Sequence, residues 1–320
     1  MHHKTYEFVK TKQTLNKVKA ARMPFDWSIN PYRGCTHGCS FCYARGFQAF
    51  IGLGAEDEFQ NHIRIKENAA EALEAQLARV SRRIGGEPWK VGHSIGFVNI
   101  GTVTDPYQPI EGKQQITRQC LKVLAKYQVS TSITTRSPLI LRDMDILVGI
   151  PHVSINISVN TLHVGIVKKL EPATSCPIKR LETINTLNSN GIRAGVFIAP
   201  ILPMITDAVE DLDALFAAAK AHQSAFAMAS VLRLSGDVKP WYYQTLQAHF
   251  PQIVSAYNKL FNGGAYATKQ YVDDIHIKTN QLMHKYELVN DVRVNTRHDQ
   301  HIHETTRTKQ VEVEQLSFDF

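Results

Sequence analysis

Asn30-Pro31-Tyr32-Arg33-Gly34-Cys35-Thr36-His37-Gly38-Cys39-Ser40-Phe41-Cys42-Tyr43 holds three cysteines at CxxxCxxC spacing on one short loop. Three such thiolates can hold three corners of a cubane iron–sulfur cluster and leave its fourth iron open, whereas a cluster that only moves electrons is normally closed by a fourth cysteine. An open iron is a place to bind and activate a ligand. Two other uses of the thiols stand beside this one. A zinc site usually draws on two separated ligand pairs; no second pair follows here, and His37 would have to complete the site from inside the same tight loop. Disulfides between closely spaced cysteines are uncommon in a chain of intracellular character.

Outward from the loop, strand-like and helix-like segments alternate. Residues 27–32 read as a short strand running into the cysteines. Helices follow at 66–83, 113–127, 139–148, 178–190 and 208–222, alternating with strands at 94–101, 129–134, 153–159, 193–199 and 225–232. The helical segments carry good helix formers with apolar residues at helical spacing. Six strands with crossovers, mostly apolar on both faces, predict a parallel sheet wrapped by helices. Repeated right-handed crossovers curve such a sheet into a partial (β/α)6 barrel of the TIM type, whose active sites gather at the C-terminal ends of the strands. The cysteines sit just past the first strand, at that end.

The chain of 320 residues is 43% hydrophobic, enough to bury one large core plus an appendage. Four regions are expected: a basic N-terminal arm at 1–26, the partial barrel at 27–236, a helical extension at 237–290 and a flexible tail at 291–320. The arm carries Lys4, Lys10, Lys12, Lys17, Lys19 and Arg22 against Glu7, with no apolar stretch of a secretory signal. No apolar run is long enough to span a bilayer, so a cytoplasmic protein is expected, with no membrane partner. A net charge of +7 and a pI near 9.1 favour a polyanionic partner such as nucleic acid.

The CxxxCxxC run followed by an aromatic resembles the signature of the radical S-adenosylmethionine (SAM) superfamily. Its surroundings, NPYRGCTHGCSFCYAR, are similar to the spore photoproduct lyase-like branch, as are Ser154-Ile155-Asn156-Ile157-Ser158, the loop Glu171-Pro172-Ala173-Thr174-Ser175 and the strand ending at Ala199-Pro200-Ile201. The resemblance spans residues 30–234. It implies a partial (β/α)6 barrel, a 4Fe-4S cluster on Cys35, Cys39 and Cys42, and SAM bound through its amino and carboxylate groups. It also implies an external electron donor, reductive cleavage of SAM, hydrogen abstraction from the substrate, and DNA as the favoured partner, with repair of a lesion as the activity. Radical modification of RNA or protein, and a non-catalytic iron–sulfur protein associated with DNA or the sliding clamp, are the alternatives.

Within that expectation, Thr102, Thr104 and Asp105 can offer oxygens to the SAM ammonium, or simply cap the next helix. Arg136 can pair with the SAM carboxylate, or be surface charge. Ser154, Asn156 and Ser158 alternate along a strand and therefore share one face, the one that would look into the barrel. Arg180 can serve a ligand or pair with Glu171 or Glu182. Tyr43 keeps the aromatic after the third cysteine and is a candidate catalytic group. Lyases that reverse the thymine dimer use an additional cysteine as hydrogen donor, yet none occurs here between Cys42 and Cys120, and Phe41 stands where those lyases have tyrosine. Cys120 reads as core, and Cys176, in a polar loop, is the candidate donor.

Beyond residue 239, Trp241, Tyr242, Tyr243, Phe250, Tyr257 and Phe261 either stack on bases or, the favoured reading, pack the extension against the barrel. The final Gln315-Leu316-Ser317-Phe318-Asp319-Phe320 resembles a bacterial sliding-clamp-binding peptide.

Overall fold

In the computed structural model, residues 4–19 and 23–290 are described. Among the described residues ten strands form: β1 (Thr5–Val9), β2 (Asn16–Lys17), β3 (Trp27–Ile29), β4 (Tyr32–Arg33), β5 (His62–Lys66), β6 (Val98–Ile100), β7 (Thr131–Thr135), β8 (Ser154–Ser158), β9 (Ala194–Ile201) and β10 (Ala227–Val231). Six of them pair in parallel in the order β3-β6-β7-β8-β9-β10, with β2 antiparallel on the outer edge of β3. The sheet ends at β10 and β2 without closing. This is the expected partial barrel, with all six expected strands present.

The two faces of the sheet differ, contrary to the expectation of strands apolar on both. Val98, Ile100, Ile133, Ile155 and Ile157 are buried toward the outer helices Ala69–Arg83, Ile116–Lys126 and Pro177–Ser189. The alternate residues Asn99, Ser132, Thr134, Asn156 and Ser158 form a polar inner face, because paired strands keep Asn99 beside Ser132 and Thr134 beside Asn156. Polar groups on an inner face are tolerated where they bond one another or a ligand. Ser132 Oγ donates to Asn99 Oδ1 at 3.0 Å, and Asn156 Nδ2 to Thr134 Oγ1 at 3.3 Å.

Three segments depart from the sequence expectation. Residues 62–66, where the sequence predicts only a helix opening at Lys66, alternate buried Ile63 and Ile65 with half-exposed His62, Arg64 and Lys66, and join a second sheet of order β1-β5-β4. Residues 94 and 95 finish a helix, Pro88–Ile95, before β6 begins. Residues 139–148 divide into a 3-10 turn, Pro138–Asp143, and a single α-turn, Met144–Leu147, since Pro138 and the Ser137 hydroxyl on Leu139 N set a tight start.

In the extension, Tyr242, Tyr257 and Phe261 are fully buried, and Tyr257 donates to the Pro203 carbonyl at 2.9 Å. Packing, not base stacking, accounts for these aromatics. The connection before the helix Lys269–Lys285 returns to the barrel, where Leu234 N donates to Ala265 O at 2.7 Å. Among the described residues no helix is long and apolar enough to cross a membrane. The expected tail, including Gln315 to Phe320, lies outside the described residues.

Candidate active site

The cysteine loop is held by backbone geometry and by one arginine. Gly34 has φ +78°, and a Cβ there would lie 2.6 Å from the His62 carbonyl oxygen, so only glycine fits where β4 turns into the loop. Cys35 N donates to Phe59 O at 2.8 Å and Ser40 N to Leu170 O at 2.9 Å, tying the loop to its two neighbours. Arg45, fully buried, donates to the carbonyls of Cys39, Gly38, Ala55 and Glu56 and to Gln60 Oε1, and its guanidinium lies between the Phe59 and Trp241 rings. Sequence reading passed over Arg45; its signal was its place in the quoted run ending CYAR.

All three cysteine side chains line one cavity of about 210 Å³. Among the described residues no three His, Cys, Asp or Glu side chains gather around a point as a single metal ion requires. Three thiols on one cavity wall are the donor set of a cluster in which each thiolate holds its own iron. Burial pushes the Cys39 thiol up to about 12 and raises those of Cys35 and Cys42 as well. Such thiols deprotonate when a cation compensates the thiolate charge, so loading the site with iron releases protons. The donor set fits the cluster.

The strand ends opposite are built around Asp105. Its carboxylate accepts from Tyr107 N at 2.9 Å, Thr135 Oγ1 at 2.7 Å and Arg136 N at 2.8 Å, with His37 Nδ1 at 3.2 Å. Burial alone would raise its pKa, but the His37 charge and these hydrogen bonds outweigh it and hold the carboxyl at about 2. Asp105 thus ties the cysteine loop to the ends of β6 and β7. Thr104 Oγ1 donates to Gly34 O at 2.7 Å, and Thr102 Oγ1 accepts from Asn30 Nδ2 at 2.8 Å while its carbonyl accepts from the Tyr43 hydroxyl. Gln108 joins the same frame, accepting from Thr36 N at 3.0 Å and donating to Gly34 O at 3.2 Å.

The Arg136 guanidinium lies over the Phe41 ring and, among the described residues, makes only long polar contacts, 3.5 Å to Glu171 Oε1 and 3.4 Å to Ala199 O. Arg180 is buried and bonds Glu171 Oε2 at 2.7 Å, Ser175 O at 2.9 Å and Ser158 O at 3.0 Å. Of the two roles read for it, pairing with Glu171 is the one observed, in the interior rather than at the surface.

Cys35, Cys39, Cys42, Tyr43, Thr102, Thr104, Asp105, Arg136, Asn156 and Ser158 all line the cavity. Two other candidates do not. Ser154 shares the inner face, buried, but lies outside the cavity lining, and Cys176, just before the helix Pro177–Ser189, is not part of the lining either. Residues passed over in the sequence complete the wall: Asn99, Ser132 and Thr134 from the strands, then Phe25, Phe197, Met228, Arg233 and Tyr266. The alternation in β6 and β7 carried the signal for the first three. Tyr266 had none, since only the return of its loop to Arg233, whose guanidinium lies 5.2 Å from its ring centroid, brings it there.

The Radical SAM superfamily profile matches residues 29–216. An uncharacterized protein of Mycobacterium tuberculosis is 31% identical over 294 residues, covering 90% of this chain and 83% of its own length. Another, from Methanocaldococcus jannaschii, is 30% identical over 199 residues, covering 62% of this chain and 68% of its own. In fold the chain is similar to a spore photoproduct lyase mutant with bound AdoMet and dinucleoside spore photoproduct (TM-score 0.64, 14% identity, 88% of this chain and 78% of that one). With three thiols on one cavity wall and a profile covering more than half its length, the chain belongs to the radical SAM superfamily, whose members use a 4Fe-4S cluster and SAM.

Proposed function

We propose that the protein cleaves SAM reductively and acts on a DNA lesion by hydrogen-atom abstraction. One observation carries this reading: a single cavity joins three cysteine thiols, the polar ends of β6 to β8 with Arg136, and the aromatic and apolar side chains of Phe25, Phe197, Met228 and Tyr266. When bound, the cluster and SAM supply the one-electron cleavage of a carbon–sulfur bond. The chain's own work is positional. Cys35, Cys39 and Cys42 would each hold an iron. Arg136, whose guanidinium makes only long polar contacts among the described residues, is the partner for the SAM carboxylate, while Asn156 and Ser158 offer hydrogen bonds to the cofactor. Asp105 keeps the loop and the strand ends in register. The aromatic and apolar side chains of the lining exclude water from the reacting centre.

DNA is favoured by the net charge of +7 and by the similarity in fold to lyase structures holding a dinucleoside spore photoproduct. The lesion differs from the spore photoproduct in this proposal. Among the described residues the three cluster cysteines are the cavity's only cysteines, because Cys120 is fully buried in the core and Cys176 lies elsewhere. In this reading no cavity thiol beyond those of the cluster returns a hydrogen atom, and among the described residues Tyr43 and Tyr266 are the phenols that line the cavity. Chemistry that needs a reduced cluster and an external electron donor belongs in the reducing interior of the cell, where we place the protein.

The test is anaerobic reduction with SAM and assay of 5'-deoxyadenosine, alone and with lesion-bearing oligonucleotides. Product formation that rises with one class of damaged DNA is expected. No 5'-deoxyadenosine from fully loaded protein would point to a non-catalytic iron–sulfur protein, and stimulation by RNA or protein instead of DNA would reassign the substrate.

A further inference from the structure

The outer face of the small sheet β1-β5-β4 carries positive charge that the described residues leave largely uncompensated. Arg33 on β4 and Arg64 on β5 are register partners, so their side chains leave the sheet side by side. Like charges directly opposite on paired strands are destabilising. Lys66, two residues beyond Arg64, shares that face, as does His62. One carboxylate serves the group: Glu7 accepts from Arg64 Nε at 2.8 Å and lies 2.7 Å from His62 Nε2. Arg33 donates to a carbonyl, Phe47 O, at 3.1 Å, and among the described residues neither Arg33 nor Lys66 has an acidic partner. Burial and the nearby Arg33 charge push the Lys66 ammonium down to about 8.

A face that gathers cations against their mutual repulsion gains from an anion. Its position says which anion matters, since Arg33 lies two residues before Cys35, and Phe47, which it holds, follows Cys42. We infer that Arg33, Arg64 and Lys66 form a phosphodiester platform that grips the backbone of DNA beside the cavity in which the lesion reacts. The cations position the strand without reading its sequence. This rests on the reading of DNA as substrate given above.

The test compares wild-type holoprotein with Arg64→Gln/Lys66→Gln and with Lys66→Gln alone, using anaerobic titration of a fluorescein-labelled, lesion-bearing duplex over a range of salt. Lys285→Gln, on the helix Lys269–Lys285, is the charge-matched control for Lys66→Gln. The double variant should bind about tenfold more weakly or worse, with a log–log salt slope shallower by about 2, roughly one per lost phosphate contact. Iron content and DNA-independent SAM cleavage should match wild type, and Lys66→Gln should fall between. Wild-type binding with variants of unchanged affinity and slope would overturn the platform and leave DNA as the substrate. If wild-type protein cleaves SAM but binds no DNA, or binds only RNA, both the platform and the DNA reading fall.

Discussion

Arg45 shows how much one side chain can decide at this site. Its guanidinium satisfies four carbonyls and a side-chain amide across three turns of chain, and two aromatic rings close over it. Arg45→Met should orphan those carbonyls and lower stability by about 3 kcal/mol or more, with reduced iron retention, checked by urea unfolding and iron assay. Full iron content at normal stability would show the loop needs no such pin. Changing Cys35, Cys39 or Cys42 to Ala should abolish the visible iron–sulfur absorbance and SAM cleavage together, whereas Cys176→Ala should leave both intact because it lies off the cavity. Asp105 makes a pH prediction. Its folded pKa of about 2 lies below the ordinary value of 3.8, so its stabilising effect is full above pH 4 and is lost as pH falls through 2. The effect is about 2 kcal/mol. In iron-free protein the stability gap between wild type and Asp105→Asn should narrow as pH drops from 5 toward 3; a constant gap would mean the carboxylate's charge is not what matters.

Among the elements, the loop 171–175 and the helix that follows it form one unit through the Glu171–Arg180 pair. Both groups are buried, and Arg136 and Arg180 together outweigh the burial that would otherwise raise the Glu171 pKa. Removing one partner leaves an uncompensated interior charge, so Arg180→Met should cost about 3 to 5 kcal/mol, and Glu171→Gln/Arg180→Met should recover part of it. Thermal melts of the single and double variants read the difference. A double variant no better than Arg180→Met would mean Arg180 acts mainly through the Ser158 and Ser175 carbonyls. The same elements show where sequence reading stopped. Apolar residues at strand spacing located all six barrel strands, but HIRIK at β5 was hidden by the long helical pattern beginning just after it, and its pairing partner β1 lies 57 residues upstream in register, as at Glu7 and Arg64.

For the whole molecule, the cavity draws its wall from the N-terminal segment at Phe25, from the barrel and from the extension at Tyr266. The expected clamp-binding peptide makes a separate prediction at this scale: deleting residues 315–320 should leave SAM cleavage unchanged, while a peptide of residues 309–320 binds a bacterial sliding clamp with a Kd on the order of micromolar. Loss of SAM cleavage on deletion would show that the segment belongs to the catalytic body.

The sequence by itself determined the three-cysteine loop, the six parallel strands and the end of the barrel at which the cysteines sit, because each is written in local spacing: cysteines in one loop, apolar residues at strand and helix period, polar residues at every second position of β8. The tertiary structure alone decided which polar residues face the cavity free of the frame and which build the frame. Asp105 and Arg180 look alike in sequence as charged groups near strand ends, yet their neighbours in space commit Asp105 to three hydrogen-bond donors and Arg180 to Glu171. It also decided that Arg33 faces Arg64 and that Tyr266 reaches the cavity. Those contacts join residues 31 and 33 positions apart through strand register and chain reversal, and neither leaves a periodic mark in the sequence.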